Sequence, residues 1–492
     1  MLMTNTKYTP TIGLEIHAEL KTRTKMFCDC LNDPLERRPN THVCPICLGH
    51  PGTLPVINKK AVEALIMIGM ALKGDIPQFS KFDRKNYFYP DLPKGYQISQ
   101  YDIPLVFGGV LNGIRLTRIH LEEDTGRLIH VTSDKGQVTS LVDFNRAGVP
   151  LMELVTEPDV ENAEEAVQFA RELQLILRYL GISDADMELG QMRVEANMSV
   201  RQATSNKEQG NAKLGTKVEV KNINSFKAVY GAIEYEIKRQ TEAIENGEKV
   251  IQETRGWDDA TQATVSQRKK ESAHDYRYFP EPDLPPLDLA KFNLTELKTA
   301  IPELPQEKRI RFAKEFALAP EKIEVLVSDR RMAEFFEESV SELALEDNKH
   351  LPKEIELLSN YLTSDLRGLM IEAGIGFNAE KISPEHFADL IEFISHNRVS
   401  SRGAKDILKK MFETGLDPHA ILKESDMEQI SDTTALKTMA EQILIANPNA
   451  VKDYKSGKLN ALQFLIGKAM AELKGKGNPG VLQEIFKDIL ED

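Results

Sequence analysis

The sequence has few cysteines and no long apolar segment. Its 492 residues include four cysteines, and the longest uninterrupted apolar run covers residues 64–72. A helix needs roughly 20 apolar residues to cross a bilayer, so we expect no membrane span. The first ten residues are polar and contain no apolar core of a signal peptide. A chain of this length can build cores without disulfides, and we therefore expect a cytoplasmic protein.

An excess of positive charge and a phosphate-binding loop are also missing. The formal net charge is −14, which argues against a protein that coats nucleic acid by bulk charge but leaves room for a local basic patch. No segment has the pattern G-x-x-x-x-G-K-[ST]. The sequence therefore gives no support for a nucleotide site of the P-loop type.

The four cysteines are clustered near the N-terminus. Cys28 and Cys30 form C-x-C, thirteen residues follow, and Cys44 and Cys47 form C-x-x-C. In a reducing compartment this spacing suits one tetrahedral Zn²⁺, and a closed four-thiolate site has no open position for water. The alternative is four buried free thiols, which are common core residues but have no reason to cluster. We predict a structural zinc site.

Period-2 alternation in the first half predicts antiparallel strands with one buried face. In residues 11–20 and 192–201 apolar side chains alternate with polar ones, which include Glu15, His17 and Glu195. Helical periodicity follows the capping sequence at Asn162 and recurs from Phe226. Strands and helices without βαβ alternation predict an α+β fold.

Composition divides the chain into three expected domains. Prolines cluster between residues 280 and 305, and the sequence after them is helix-patterned almost to its end, with a break near residues 415–418. We expect an N-terminal domain at 1–297 built on an antiparallel sheet with flanking helices and a zinc knuckle. An all-α helical domain at 298–415 and an all-α tail domain at 416–492 are expected to follow.

Acidic and imidazole side chains recur on the polar faces of the predicted strands. Oxygen and nitrogen ligands of this kind suit Mg²⁺, and crowded carboxylates repel one another unless a cation lies between them. The candidate ligands are Glu15, His17, Glu122, Glu123 and Glu195. The alternative is that each strand simply exposes polar residues to water.

The segment at residues 86–97 predicts a shaped loop, because it contains two prolines and a glycine. Its aromatic residues, Tyr89 among them, offer stacking faces, and Lys94 offers a phosphate contact. A surface loop pinned by aromatic packing explains the same pattern.

Several long motifs resemble the B subunit of the aspartyl/glutamyl-tRNA(Asn/Gln) amidotransferase, the GatB family. They are residues 142–158 (VDFNRAGVPLMELVTEP), 12–17 (IGLEIH), 87–96 (YFYPDLPKGY) and 120–124 (HLEED). The resemblance extends over essentially the whole chain. It implies that the N-terminal domain is a cradle-shaped, kinase-like catalytic domain, with Glu15, His17 and Glu123 as catalytic residues. It also implies contacts of Lys94, Tyr89, Arg146 and Asn145 with substrate or ATP.

The family's reaction is a carbon–nitrogen ligation with glutamine as the amido donor. The resemblance implies that misacylated Glu-tRNA(Gln) or Asp-tRNA(Asn) is phosphorylated on its side-chain carboxylate with ATP and Mg²⁺, and that ammonia from an A subunit displaces the phosphate. A small C subunit would complete a heterotrimer. Two alternatives remain: a non-catalytic tRNA-binding scaffold with a structural zinc, and a synthetase-like enzyme that forms an adenylate.

Lysines concentrate near the C-terminus. An apolar stripe with helical spacing follows Asp432, a candidate cap, and beyond it lie Lys452, Lys455, Lys458, Lys468, Lys474 and Lys476. An acidic protein that binds a polyanion needs its positive charge concentrated in one place. We therefore expect the tail domain to contact tRNA, although an ordinary solvated face gives the same pattern.

Overall fold

A computed structural model describes residues 7–132, 136–202, 214–269, 276–344, 350–377, 381–424, 433–458, 460–473 and 479–491. The chain forms two compact units, residues 1–305 and 306–492. The first unit combines strands and helices, and the described residues of the second are helical. This confirms the predicted α+β fold with a helical C-terminal region. Among the described helices, none is long and apolar enough to cross a bilayer.

The first unit contains strands throughout and four α-helices in its described part. The strands are β1 (Tyr8–Glu19), β2 (Phe79–Ser80), β3 (Asp83–Asn86), β4 (Tyr96–Ser99), β5 (Val106–Phe107), β6 (Val110–Leu111), β7 (Ile114–Glu123), β8 (Arg127–Thr132), β9 (Val138–Asp143), β10 (Pro150–Thr156), β11 (Met192–Gln202), β12 (Val218–Ile223), β13 (Glu253–Asp258), β14 (Ala263–Lys269), β15 (Phe279–Pro280) and β16 (Leu287–Asp288). The helices are α1 (Lys59–Ala71), α2 (Ala163–Tyr179), α3 (Phe226–Glu245) and α4 (Leu294–Thr299).

One large sheet organises this unit. Its strand order is β14-β13-β12-β11-β1-β10-β7-β5, and β6 also pairs with β7. Neighbouring strands are antiparallel except β12 and β13, which are parallel. The prediction of an antiparallel sheet therefore needs one correction: α3 connects β12 to β13 as a crossover, and a crossover returns the chain in the same direction.

The alternation in the sequence separates the two faces of the sheet. Ile12, Leu14 and Ile16 of β1 are at most 1% exposed and belong to a core shared with residues of α1, α2 and α3. Helix α2 begins as predicted, because the Asn162 side chain accepts a hydrogen bond from the backbone N–H of Glu165 at 2.8 Å. The helices thus cover one face, and the polar face of β1 remains available for a site.

The proline-rich segment pairs with short strands of the same unit. β15 pairs with β3, β16 pairs with β2, and α4 follows. Part of the proline-rich segment is therefore extended along the first unit. It holds residues 276–280 close to β3, where they take part in the site described below.

The second unit is a series of helices. They are α5 (Pro305–Phe316), α6 (Pro320–Val327), α7 (Arg330–Leu343), α8 (Leu351–Asn360), a π-helical turn (Tyr361–Leu366), α9 (Arg367–Glu372), α10 (Pro384–Ser395), α11 (Ser401–Thr414), α12 (Pro418–Glu424), α13 (Thr433–Ala446), α14 (Pro448–Lys455), α15 (Asn460–Glu472) and α16 (Pro479–Glu491). Helix α11 ends at Gly415, which has φ +71° and lies at the predicted break.

The last four helices share a core of their own. Its buried residues run from Leu436 to Leu490 and come from α13, α15 and α16 and the residue that follows α15. This supports a separate tail domain, and the boundaries 1–297, 298–415 and 416–492 stay predictions. Asp432, the predicted cap, and Lys474 and Lys476 lie outside the described residues.

Candidate functional site

The four-cysteine site, defined by Cys28, Cys30, Cys44 and Cys47, is brought together as the spacing predicts. The four sulfur atoms lie within 4.8 Å of one another. The Sγ atoms of Cys44 and Cys47 are 3.8 Å apart, which is about the edge of a tetrahedron with Zn–S bonds of about 2.3 Å. The donors therefore fit one Zn²⁺, and a closed four-thiolate set is typical of a structural site.

Local backbone bonds explain how each pair of cysteines is presented. Thr24 and Leu31 form an isolated bridge around the first pair, and the N–H of Lys25 donates to the carbonyl of Cys30 at 3.0 Å. The second pair lies in a turn in which the N–H of Leu48 donates to the carbonyl of Cys44 at 3.0 Å. Two short loops of the same segment thus supply all four thiols.

A second group of candidate ligands lies on the polar face of the sheet, where β1 runs between β10 and β11. In the register of these strands His17 is opposite Glu153, and Glu153 is opposite His120 of β7. Glu15 is opposite Glu195 of β11. Successive strands therefore place acids and histidines side by side. We call Glu15, His17, His120, Glu122 and Glu153 the carboxylate–histidine cluster.

Distances show that His17 lies at the centre of this cluster. Its Nε2 atom is 3.4 Å from Glu153 Oε2, 3.7 Å from Glu122 Oε1 and 3.9 Å from Glu15 Oε1. On the other side of Glu153, His120 Nε2 is 3.3 Å from the same Oε2 atom. The structure thus brings Glu15, His17 and Glu122 together, and their binding of Mg²⁺ stays a prediction. An ordinary solvated face does not explain side chains this buried, because Glu122 and Glu153 are 2% and 4% exposed.

The electrostatics of the cluster follow from crowding and burial. Burial, with the neighbouring Glu153 and Glu195 carboxylates, raises the pKa of Glu15 to about 7. Burial would lower the pKa of His17, but its contacts with Glu153, Glu122 and Glu15 raise it to about 9. Burial likewise opposes ionisation of Glu153, and His120 and His17 nevertheless hold its pKa well below the usual range. A divalent cation would replace these shared protons.

Glu153 and His120 belong to the cluster although sequence reasoning did not select them as ligands. Both lie in motifs that carry the family resemblance. Glu153 is also the one charged residue in the otherwise apolar run of residues 149–155. Four of the six other side chains of that run are at most 2% exposed. A charged residue in the middle of a buried strand needs a partner, and this requirement could have identified Glu153.

Glu123 and Glu195 lie beside the cluster with lysine partners. Lys94 donates to a carboxylate oxygen of Glu123, and the backbone N–H of Ile98 donates to the same atom at 2.9 Å. Lys221 Nζ lies 2.8 Å from Glu195 Oε2. Glu123 therefore anchors the loop within residues 86–97 to the end of β7. Glu195 lies opposite Glu15 on the neighbouring strand β11. Their binding of Mg²⁺ stays a prediction.

Asn145 is used in backbone contacts. Its side chain is fully buried, accepts hydrogen bonds from the N–H groups of Thr41 and His42 at 2.8 and 2.9 Å, and donates to the carbonyl of Arg38 at 2.8 Å. It fixes the segment that leads into the second cysteine pair. An ATP-binding role for Asn145 remains a prediction.

The other two predicted substrate contacts differ from each other. The guanidinium of Arg146 donates to the carbonyls of Thr125 and Gly126 at 3.0 and 2.9 Å and lies 3.6 Å from Asp124. Tyr89, in the loop within residues 86–97, is 60% exposed and lines the cavity described next. Arg146 is thus held by the protein, whereas Tyr89 is open to a ligand.

Glu15, His120 and Glu153 of the carboxylate–histidine cluster line a cavity of about 760 Å³. Lysines and tyrosines line the same cavity. They include Lys85, Lys217, Lys221, Tyr87, Tyr101, Tyr276 and Tyr278. The rings of Tyr101 and Tyr278 stack with centroids 4.4 Å apart. Lysines suit phosphate oxygens and aromatic rings suit nucleobases, so the cavity has the groups that a nucleotide needs.

Three residues that line the cavity each carry a buried polar atom without a hydrogen-bond partner among the described residues. The atoms are Nε of Arg118, Nδ1 of His120 and Oδ1 of Asn197. Buried polar atoms in native proteins are nearly always paired. Together with the donor set of the cluster, these atoms fit a ligand and a Mg²⁺ ion on the polar face.

Comparison with known proteins identifies relatives over the full chain. The GatB/GatE catalytic domain family matches residues 10–295, and the GatB domain family matches residues 335–490. The first match contains both the four-cysteine site and the carboxylate–histidine cluster. The second lies in the helical unit.

Individual relatives agree with this result. The B subunit of the aspartyl/glutamyl-tRNA(Asn/Gln) amidotransferase from Dehalococcoides mccartyi is 46% identical, with 99% of this chain and 100% of the relative aligned. The proteins of the same name from Carboxydothermus hydrogenoformans and Crocosphaera subtropica are 44% and 42% identical, and the alignments cover at least 98% of each chain.

Proposed function

We propose that this chain, which belongs to the family of aspartyl/glutamyl-tRNA(Asn/Gln) amidotransferase B subunits, activates the side-chain carboxylate of Glu-tRNA(Gln), of Asp-tRNA(Asn) or of both. A carboxylate oxygen attacks the γ-phosphorus of ATP, and ADP leaves. Ammonia then attacks the carbonyl carbon of the acyl phosphate, phosphate leaves, and loss of a proton gives the amide. Activation is needed because a carboxylate is a poor electrophile.

The observation that carries this proposal is the carboxylate–histidine cluster, because three of its residues line a cavity that lysines and tyrosines also line. Glu15, His17, Glu122 and Glu153 would hold Mg²⁺, with His120 against Glu153. The ion would neutralise charge on the phosphate oxygens. Lys85 and Lys221 lie on the cavity wall, where their ammonium groups bind phosphate and orient it toward the substrate carboxylate.

We infer that the ammonia comes from another chain. The four cysteines of this sequence are all in the four-cysteine site, so no cysteine is free to act as the nucleophile of a glutamine hydrolase. The sequence also has no amidase-like Gly/Ser-rich segment with a nucleophile. We propose that an A subunit hydrolyses glutamine and that a small C subunit completes a heterotrimer. The relatives are named as B subunits, which fits such an assembly.

The tail domain, residues 416–492, is proposed to bind the body of the tRNA. Among its described lysines, Lys452, Lys455, Lys458 and Lys468 are exposed. Exposed lysines contact phosphates without reading sequence. The tail would position the tRNA, and the cavity would receive its aminoacylated end.

Nucleotide analysis tests this proposal. The reconstituted heterotrimer is incubated with ATP, glutamine and misacylated tRNA, and the products are separated. Formation of ADP and phosphate that depends on the misacylated tRNA is expected. AMP and pyrophosphate would indicate an adenylate-forming enzyme, and no nucleotide product would indicate a scaffold; either result overturns the proposal.

A further inference from the structure

The most unusual charge in the first unit is the ammonium group of Lys25. Lys25 is fully buried, although lysine is almost never fully buried without a partner. Its Nζ donates to the carbonyls of His42 at 2.6 Å and Phe144 at 3.3 Å, and it lies 4.0 Å from the sulfur of Cys47. Among the described residues, the contacts of this group are with these two carbonyls and this sulfur, and no carboxylate lies within ion-pairing distance of it.

The four-cysteine site provides the missing counter-charge. Four thiolates around one Zn²⁺ have a formal charge of −2, which is costly in a buried environment. Lys25 reduces this charge to −1 and is placed to do so by its own backbone, whose N–H donates to the carbonyl of Cys30 at 3.0 Å. The residue thus contacts both cysteine pairs, one through its backbone and the other through its side chain.

Lys25 also connects the four-cysteine site with the segment at residues 144–149. Phe144 accepts one of its hydrogen bonds, and the N–H of Met26 donates to the carbonyl of Gly148 at 2.7 Å. Gly148 has φ +85°, and a Cβ atom there would lie 3.4 Å from Cys47 Cβ and 3.5 Å from Lys25 Cδ. The N–H of Gly148 donates to the carbonyl of Asp124 at 2.9 Å, directly after β7.

We propose that Lys25 is a positioning residue that compensates the charge of the zinc thiolates and fastens the four-cysteine site to the segment 144–149. Through Gly148 and Asp124 this contact reaches the end of β7, the strand that carries Glu122. The negative charge of the zinc thiolates therefore stabilises the buried ammonium group of Lys25, and Lys25 in turn holds the segment 144–149 in place. The inference concerns zinc binding and does not depend on the reaction catalysed by the chain.

Zinc release provides the test. Zinc content of the purified heterotrimer is measured for wild type, Lys25→Met, Lys25→Arg and Lys21→Met, followed by the rate of release to a chromogenic chelator. Lys21 is the matched control, because it is an exposed lysine in the same segment and pairs with Asp184 at 2.8 Å. We expect Lys25→Met to bind zinc about 10- to 100-fold more weakly, Lys25→Arg to retain most of the affinity, and Lys21→Met to match wild type.

A double-mutant cycle separates charge compensation from simple packing. The midpoints of thermal unfolding are compared for Lys25→Met, Cys47→Ser and the double variant. If Lys25 acts through the thiolates, the two effects on the unfolding midpoint are not additive. Lys25→Met then lowers the midpoint less in the Cys47→Ser background than in wild type. Additive effects, wild-type zinc release from Lys25→Met, or equal losses in Lys25→Met and Lys25→Arg would overturn the proposal. A wild-type protein without zinc would overturn both this proposal and the zinc assignment.

Discussion

The first unit contains two groups of candidate metal ligands, and the chain assembles them in different ways. The four-cysteine site takes all its donors from residues 28–47, in two short loops. The carboxylate–histidine cluster takes its donors from β1, β7 and β10, which are distant in sequence and adjacent only in the sheet. The first site is closed, and the second faces a cavity of about 760 Å³. A local, closed site stabilises structure, whereas a site assembled from several strands can present its ligands to a substrate.

This difference predicts opposite responses to loss of a ligand. In the sheet, His17→Ala removes the imidazole that contacts Glu15, Glu122 and Glu153. We expect tRNA-dependent ADP formation to fall by about 10³-fold or more, because a lost metal ligand removes several kcal/mol of transition-state stabilisation. Zinc content is expected to stay unchanged, and tRNA affinity is expected to stay within a few-fold of wild type.

Glu123→Gln is expected to cause the same loss of ADP formation, because the Glu123 carboxylate holds Lys94 and the N–H of Ile98 beside the cavity. Glu248→Gln is the matched control, since Glu248 is an exposed acid of the same unit. Wild-type turnover in His17→Ala or Glu123→Gln would show that the affected residue has no role in catalysis.

The four-cysteine site is expected to show the reverse pattern. Cys47→Ser removes one thiolate, and structural zinc contributes directly to folding. We expect loss of zinc and a fall of roughly 5 °C or more in the midpoint of thermal unfolding. Metal analysis and calorimetry measure both effects. Normal melting of Cys47→Ser, together with wild-type protein that contains no zinc, would contradict the assignment.

Proton competition gives a third contrast. Metal binding in the sheet requires Glu15 and His17 to lose protons, and their pKa values are raised to about 7 and about 9. At pH 7 most of the His17 population is protonated, so a bound cation must displace that proton. The affinity for Mn²⁺ should therefore rise with pH, by up to about tenfold per pH unit between pH 7 and 9. Calorimetric titration that shows constant or falling affinity over this range would be inconsistent with these ligands.

The tail domain is expected to give the smallest effects. Deleting residues from 416 onward should raise the apparent KM for aminoacyl-tRNA and flatten the salt dependence of binding, because fewer phosphate contacts release fewer counterions. Glutamine hydrolysis by the A subunit should not change. Filter binding at several salt concentrations measures the slope. An unchanged affinity with an unchanged slope would show that the tail does not bind tRNA.

The same contrast explains what the sequence could predict. All ligands of the four-cysteine site are visible in one segment, so spacing alone identified them. For the sheet, alternation identified the polar face and therefore Glu15 and His17. Strand order was not visible, and Glu153 was missed because its partners His17 and His120 are brought to it only by pairing of β10 with β1 and β7. The use of Asn145 to fix Thr41 and His42 is likewise a long-range contact that no local pattern shows.

The central claim is that the substrate carboxylate itself attacks ATP, and isotope transfer tests it most directly. Misacylated tRNA is prepared with ¹⁸O in the side-chain carboxylate, and the heterotrimer converts it with ATP and glutamine. Attack on the γ-phosphorus and later displacement by ammonia leave one carboxylate oxygen on the phosphate. Inorganic phosphate that contains one ¹⁸O atom per amide formed is the predicted result, and phosphate without ¹⁸O at full amide yield would contradict it.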